Sequence, residues 1–199
     1  MKKLLITGFS TFSNHSENSS QIITELFKNT KLDGFEVRTA ILPVAFSNSF
    51  DFLKIQLESF KPDIVICLGL ASNRKKISLE KVAINLIHTD IPDNEGMLYE
   101  DKTIGLDGTN AYFSTLPLKE MKCAATDFPT EISFSAGTYV CNYIMYRLLD
   151  YCQDSKVEAG FIHLPHLQNN QQVIFDTLVK MINSSRAVLY KESRYYQSL

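Results

Sequence analysis

Cys141, His163 and Glu80 are the residues of this 199-residue chain whose types and local settings suit thiol chemistry. Cys141 stands in SAGTYVCN, just after Gly137-Thr138. A strand-to-helix turn there puts Thr138 at the helix cap and Cys141 in the first helical turn. Free amides and the positive end of the helix dipole favour thiolate at such a place, pulling the pKa below its free value of about 8.5. A cysteine that is simply buried in a helix gives the same local pattern. The other thiols lack this setting: Cys67 lies within IVICLG as packing, Cys123 is mid-helix, and Cys152 is near a helix end whose dipole opposes ionisation.

A thiol nucleophile needs a proton acceptor, and neutral imidazole suits that task near neutral pH. His163 sits in FIHLP at the end of an apolar run, where a structural histidine fits equally well. His166 follows Pro165 in a loop. The HLPH segment breaks helical spacing, and no third ligand follows at a recognised interval, so no metal site is expected. Glu80 shares an alternating row with Ser78, Val82, Ile84 and Leu86. A carboxylate on a half-buried row needs a partner, and an imidazolium would complete a Cys–His–Glu arrangement in which the acid orients the base. If the strand shifts phase at Lys81, Glu80 lies in water instead.

The elements that must hold these residues alternate along the chain. KLLIT (3–7), FEVRTAIL (35–42), DIVICLG (63–69), a long extended stretch over 77–88, EISF (131–134) and VEAGFIHLP (157–165) read as strands. Residues 18–28, with Asn and Ser caps, 47–60, a segment from Pro117, 138–152 and 169–182 read as helices. The helix at 138–152 carries Val140, Ile144, Leu148 and Tyr151 on one stripe. Residues 92–111 are rich in turn formers and form a long excursion, and the tail SRYYQSL has no usable period. Strand–helix alternation implies an α/β fold, a mostly parallel sheet with helices on both faces. Such sheets place ligands at the carboxyl ends of their strands, here just after Thr7, Gly69, Phe134 and His163. Phe9 and Phe12 would then be apolar walls of a pocket, or would cover a helix end.

Composition narrows the function classes. Apolar residues at 45% and charged residues at 21% suit one globular domain over 1–199. A net charge of −2 offers no counterion-releasing face, so nucleic acid is not an expected partner. No apolar run approaches the roughly 20 residues that span a bilayer, and MKKLLITGF has too short an apolar stretch for a signal peptide. Four cysteines without a CxxC pair read as free thiols of a cytoplasmic protein. There is no GxGxxG or Walker spacing to cradle a phosphate.

Several segments together resemble pyroglutamyl peptidase I (pyrrolidone-carboxylate peptidase), a family of cysteine exopeptidases: LLITGFSTF, KPDIVICLG, ISLEKVAIN, IPDNEG, DGTNAYFSTLP, SAGTYVCN and GFIHLP, in the family's order from residue 4 to 165. The resemblance implies a three-layer α/β/α single domain without a cofactor that removes an N-terminal 5-oxoproline from peptides. It implies Cys141 as nucleophile, His163 as general base and then acid, and Glu80 orienting the imidazole. It also implies a homodimer or homotetramer. The expected pocket takes a small neutral lactam between Phe9, Phe12, Tyr139 and Val140.

Departures from the family pattern gather around that pocket. Ser13 and Asn14 stand where the family has glycines, and Tyr139 replaces a phenylalanine. Leu70 stands where a glutamine that can bond the lactam is common, and Asp90 where an arginine credited with helping the oxyanion is common. Losing one oxyanion donor costs about 3–4 kcal/mol of transition-state stabilisation. Leu70 and Asp90 therefore keep two alternatives in view: a cysteine hydrolase of altered specificity, and a non-enzymatic homologue that binds a peptide end or a partner.

Overall fold

A computed structural model describes residues 1–12 and 17–196, with side chains as far as residue 185. The departures at Ser13 and Asn14 lie outside the described residues. The first half of the chain follows the alternation read from its sequence: Lys2–Phe9 (β1), Ser19–Lys28 (α1), Phe35–Leu42 (β2), Ser49–Phe60 (α2) and Ile64–Leu70 (β3). Asn18 caps α1, its side-chain oxygen accepting from Ser20 N at 3.0 Å, which satisfies one of the free amides of the first turn. Lys61, left-handed at φ 52°, ends α2 just before Pro62.

The stretch 77–88 is not one strand. Ile77–Glu80 (β4) ends at Lys81, and Val82–Ile84 (β5) leaves to pair antiparallel with Ala111–Phe113 (β6). The backbone of Lys81 makes the hand-off. Its N–H donates to Ser133 O, and its carbonyl accepts from Ser114 N. Val82, Ile84 and Leu86 therefore do not share a strand row with Glu80. The chain continues through Leu118–Ala124 (α3), Thr130–Ser133 (β7), Val140–Cys152 (α4), Glu158–Leu164 (β8) and Gln171–Tyr196 (α5). β6 lies at the end of the turn-rich excursion and has only three residues, too few for a readable period. The last helix runs well past the apolar pattern of 169–182, because no Gly or Pro interrupts residues 171–196.

Among the described residues, six strands form one sheet in the order β2-β1-β3-β8-β4-β7. Every pair is parallel except β4 with β8. Alternate side chains divide between two cores. Leu5, Phe9, Val65, Cys67 and Phe161 pack under α2 and α4, whereas Leu4, Ile6, Ile66, Leu68 and Ile162 pack under α1, α3 and α5. This is the three-layer α/β/α sandwich. On the α4 stripe Val140, Ile144 and Leu148 are buried, but Tyr151 is 45% exposed, its ring meeting that of Phe50 at a steep angle. Among the described residues no helix is long and apolar enough to cross a membrane.

Candidate active site

The register of the sheet brings His163 and Glu80 to the α4 side. His163 pairs with Gly69 on β3 and with Ser78 on β4, and Glu80 pairs with Phe161. Strand residues two apart share a face, so Glu80 and His163 are diagonal neighbours on one surface. Glu80 Oε1 lies 2.7 Å from His163 Nδ1, and the two residues are 0% and 5% exposed. A carboxylate can only accept, so Nδ1 carries the proton and Nε2 is left as the ring's acceptor. The Phe161 ring stands 4.9 Å from the imidazole, tilted at 52°, and limits its swing. The break at Lys81 does not put Glu80 in water, because β4 lies between β7 and β8 and all four of its residues are buried.

Cys141 is the second residue of α4 and is half-buried. A β-carbon built on Gly69 would come within 3.0 Å of its sulfur. The sulfur therefore rests over the residue that flanks His163 in the sheet. The helix begins one residue later than the sequence suggests: Tyr139 is the cap, in extended conformation and with no side-chain cap bond. Thr138 instead donates its hydroxyl to His88 O at 2.7 Å, and His88 N–H donates to Thr138 O at 3.2 Å. That exchange holds the turn in which Gly137 adopts φ 80°. The first amides of α4, Val140 and Cys141, have no acceptor within the helix and point to its N-terminal end.

Burial pushes the Cys141 pKa up to about 12, aided by the charges of Glu80 and Cys67 and opposed by Arg74. Desolvation therefore works against the thiolate that a helix start favours. Cys67 is fully buried and likewise raised to about 12, consistent with packing. Cys152 is buried and raised to about 11, while Cys123 is exposed.

Beside the sulfur is a small, open-mouthed pocket, lined by Phe9, Phe12, Leu70, Tyr139 and Val140 from the sequence reading. Asn18 and Val44 complete it. Loop 92–94 braces these walls. Tyr139 Oη donates to Pro92 O at 3.0 Å, Asn94 N–H to Val44 O at 3.0 Å, and Asn94 Nδ2 to Thr11 O at 3.0 Å. The buried Asp93 carboxylate accepts from Phe46 N and, through its other oxygen, from Glu95 N and Met97 N, each at 2.9 Å. Asp90 does not line the pocket. It is exposed, along a groove with Thr89, Leu98 and Tyr99. Among the described residues no three His, Cys, Asp or Glu side chains gather as metal ligands would.

Sequence reasoning missed three anchors of this site. Asn142, fully buried, accepts from Ile84 N at 3.0 Å and donates to Ile84 O and Leu86 O at 2.9 and 3.0 Å, fastening α4 to β5. Asp93 organises the pocket loop, and Arg74 reaches Glu80 Oε1 at 2.6 Å. A polar residue directly after Cys141 on the apolar side of a helix was the available signal for Asn142. The PDN turn was the signal for Asp93. The SNRKK loop carries none for Arg74.

A model of the pyroglutamyl peptidase family matches residues 2–186. The pyrrolidone-carboxylate peptidase of Brachyspira hyodysenteriae is 40% identical over 97% of this chain and 99% of its own length. That of Bacillus subtilis is 40% identical over 88% of this chain and 83% of its own. The solved pyrrolidone carboxyl peptidase of Thermococcus litoralis superimposes with a TM-score of 0.92 at 33% identity, covering 96% of both chains. A match over nearly the whole length, in both sequence and fold, makes this chain an enzyme of the pyroglutamyl peptidase family.

Proposed function

We propose that this protein is a cysteine exopeptidase that removes an N-terminal pyroglutamyl residue from peptides, with Cys141, His163 and Glu80 as its triad on one domain. The observation that carries this reading is the convergence around Gly69: the Cys141 sulfur lies over it, and His163, already bonded to Glu80 at 2.7 Å, flanks it.

Burial disfavours a free thiolate at Cys141, so attack is base-assisted. As Sγ bonds to the carbonyl carbon joining pyroglutamate to the next residue, its proton passes to His163 Nε2. Glu80 steadies the imidazolium through Nδ1. The oxyanion lies at the start of α4, where free amides provide stabilisation without reorganising. His163 returns its proton to the leaving amine, which departs as the shortened peptide. A water molecule then gives its proton to His163 and attacks the thioester, and the thiol is re-formed with free pyroglutamic acid. An apolar pocket walled by Phe9, Phe12, Leu70, Tyr139 and Val140 suits a lactam, which has no ammonium group to solvate. With Asp90 outside that wall, its charge does not oppose a neutral ligand there.

Leu70 favours one second reading, the same chemistry on another small N-terminal amide, because it offers the lactam no hydrogen bond. A fluorogenic pyroglutamyl amide assayed with wild type and Cys141→Ala separates the readings. Turnover that vanishes in the variant is expected. Absent turnover with Cys141 still alkylated by iodoacetamide points to the altered substrate, and absent turnover on every small N-terminal amide removes the enzymatic reading altogether.

A further inference from the structure

Arg74 belongs to none of the roles above, yet its guanidinium lies among them. It sits on the connection from β3 to β4, in a turn closed by Arg74 N–H donating to Ala71 O at 3.0 Å. Nη1 reaches Glu80 Oε1 at 2.6 Å, the same oxygen that takes the His163 bond at 2.7 Å. Nη2 donates to Ser135 O at 2.9 Å, in the segment that leads from β7 into α4. Glu80 Oε2 is buried and without a hydrogen-bond partner among the described residues. Both donors thus bear on a single atom of a carboxylate that water does not reach.

We propose that Arg74 is a positioning residue: it aims the Glu80 carboxylate at His163, balances the charge of Glu80 at the Cys141 sulfur, and ties the approach to the nucleophile helix to the acid. This rests on the reading that Cys141, His163 and Glu80 act together. A carboxylate held by one donor can still turn about its last bond, whereas donors from two directions on one oxygen fix it. The planar guanidinium fork can serve Glu80 and Ser135 at once, which a single ammonium cannot.

The charged and titratable groups around the pair come from several elements. Glu80 is on β4, Cys141 on α4, Cys67 on β3, and Arg74 on its own turn. Across β4, Glu131 on β7 is held by Lys76 at 3.0 Å and approached by Ser78, and the field of Arg74 reaches it as well. At the Cys141 sulfur, Glu80 opposes ionisation and Arg74 favours it. Without the guanidinium, the charge of Glu80 acts on the sulfur uncompensated.

The test compares wild type, Arg74→Gln and Arg74→Lys, each checked for fold by circular dichroism. Arg74→Gln is expected to slow iodoacetamide alkylation of Cys141 about tenfold at neutral pH and to move its pH profile about one unit alkaline. Arg74→Lys keeps the charge, so its alkylation stays within about threefold of wild type. It loses the fork, so kcat on a pyroglutamyl amide falls about tenfold while KM changes less than about twofold. Should Arg74→Gln not fold, the kcat-against-KM split of Arg74→Lys decides. The assignment is overturned by an Arg74→Gln protein that alkylates like wild type, by equal slowing of alkylation in both variants, or by an unchanged kcat in Arg74→Lys. A wild type that leaves the pyroglutamyl amide intact instead refutes the proposed function, and the alkylation comparison still judges Arg74.

Discussion

The Cys141 sulfur lies 3.0 Å from the point where a β-carbon on Gly69 would stand, and the Phe161 ring lies only 2.7 Å from that same point. Glycine is required here by a close approach, not by backbone conformation. Gly69→Ala must displace the sulfur, the ring, or both, and the ring in turn packs on His163. A nucleophile misplaced by about 1 Å loses roughly a hundredfold in rate. The expected outcome is a folded variant with kcat/KM on a pyroglutamyl amide reduced by about that factor. An alanine variant with wild-type kcat/KM contradicts the placement of the sulfur.

Asn142 makes three bonds to β5 and its exit while fully buried. Asn142→Ala leaves two carbonyls and an amide without partners, at a cost of about 3 kcal/mol. Urea unfolding reads this as a lower midpoint at unchanged slope. A midpoint that does not move means that α4 is fixed by its apolar stripe alone.

Alkaline stability follows from the buried thiols. Cys67, Cys141 and Cys152 hold their protons in the folded protein to about pH 12, 12 and 11. In the unfolded chain they release them near pH 8.5, as free cysteine does. Between these limits the folded state binds more protons than the unfolded state, so stability is whole below the lower limit and declines as pH rises above it. The urea midpoint at pH 10.5 is expected below that at pH 8, with a smaller drop in Cys67→Val. Equal drops in wild type and Cys67→Val would show that Cys67 plays no part in the decline.

Leu70 ends β3 as a buried apolar wall of the pocket. Leu70→Gln supplies a donor for a lactam carbonyl. One net hydrogen bond of about 1 kcal/mol lowers KM for a pyroglutamyl amide about fivefold, with kcat nearly constant. Steady-state kinetics checks this, and a higher KM in the variant means that the leucine itself makes the better contact.

The fold was legible because its strands are short apolar runs with clear stops. β1, β3 and β8 could be read from LLIT, IVICLG and FIHLP, and the cap of α1 from Asn18. Glu80 stood out as a carboxylate in an apolar row, although the row itself breaks at Lys81 through backbone bonds to Ser133 and Ser114 that no local period encodes. At Cys141 the helix start is visible in sequence, whereas the burial that opposes ionisation depends on the whole sheet. Arg74 could not be found, since a charged residue in a loop acquires meaning only when β4 folds back against β8.

That reversed strand has an architectural consequence. Glu80 and His163 are rungs of a paired ladder, while the pocket walls Phe12, Val44 and Tyr139 come from connections at the rim. On the proposed reading, proton handling rests on that ladder alone, whereas ligand selection is shared between strand ends, Phe9 and Leu70, and the rim. Descendants of this architecture can exchange their preferred guest by editing those rim connections while the paired rungs stay in place.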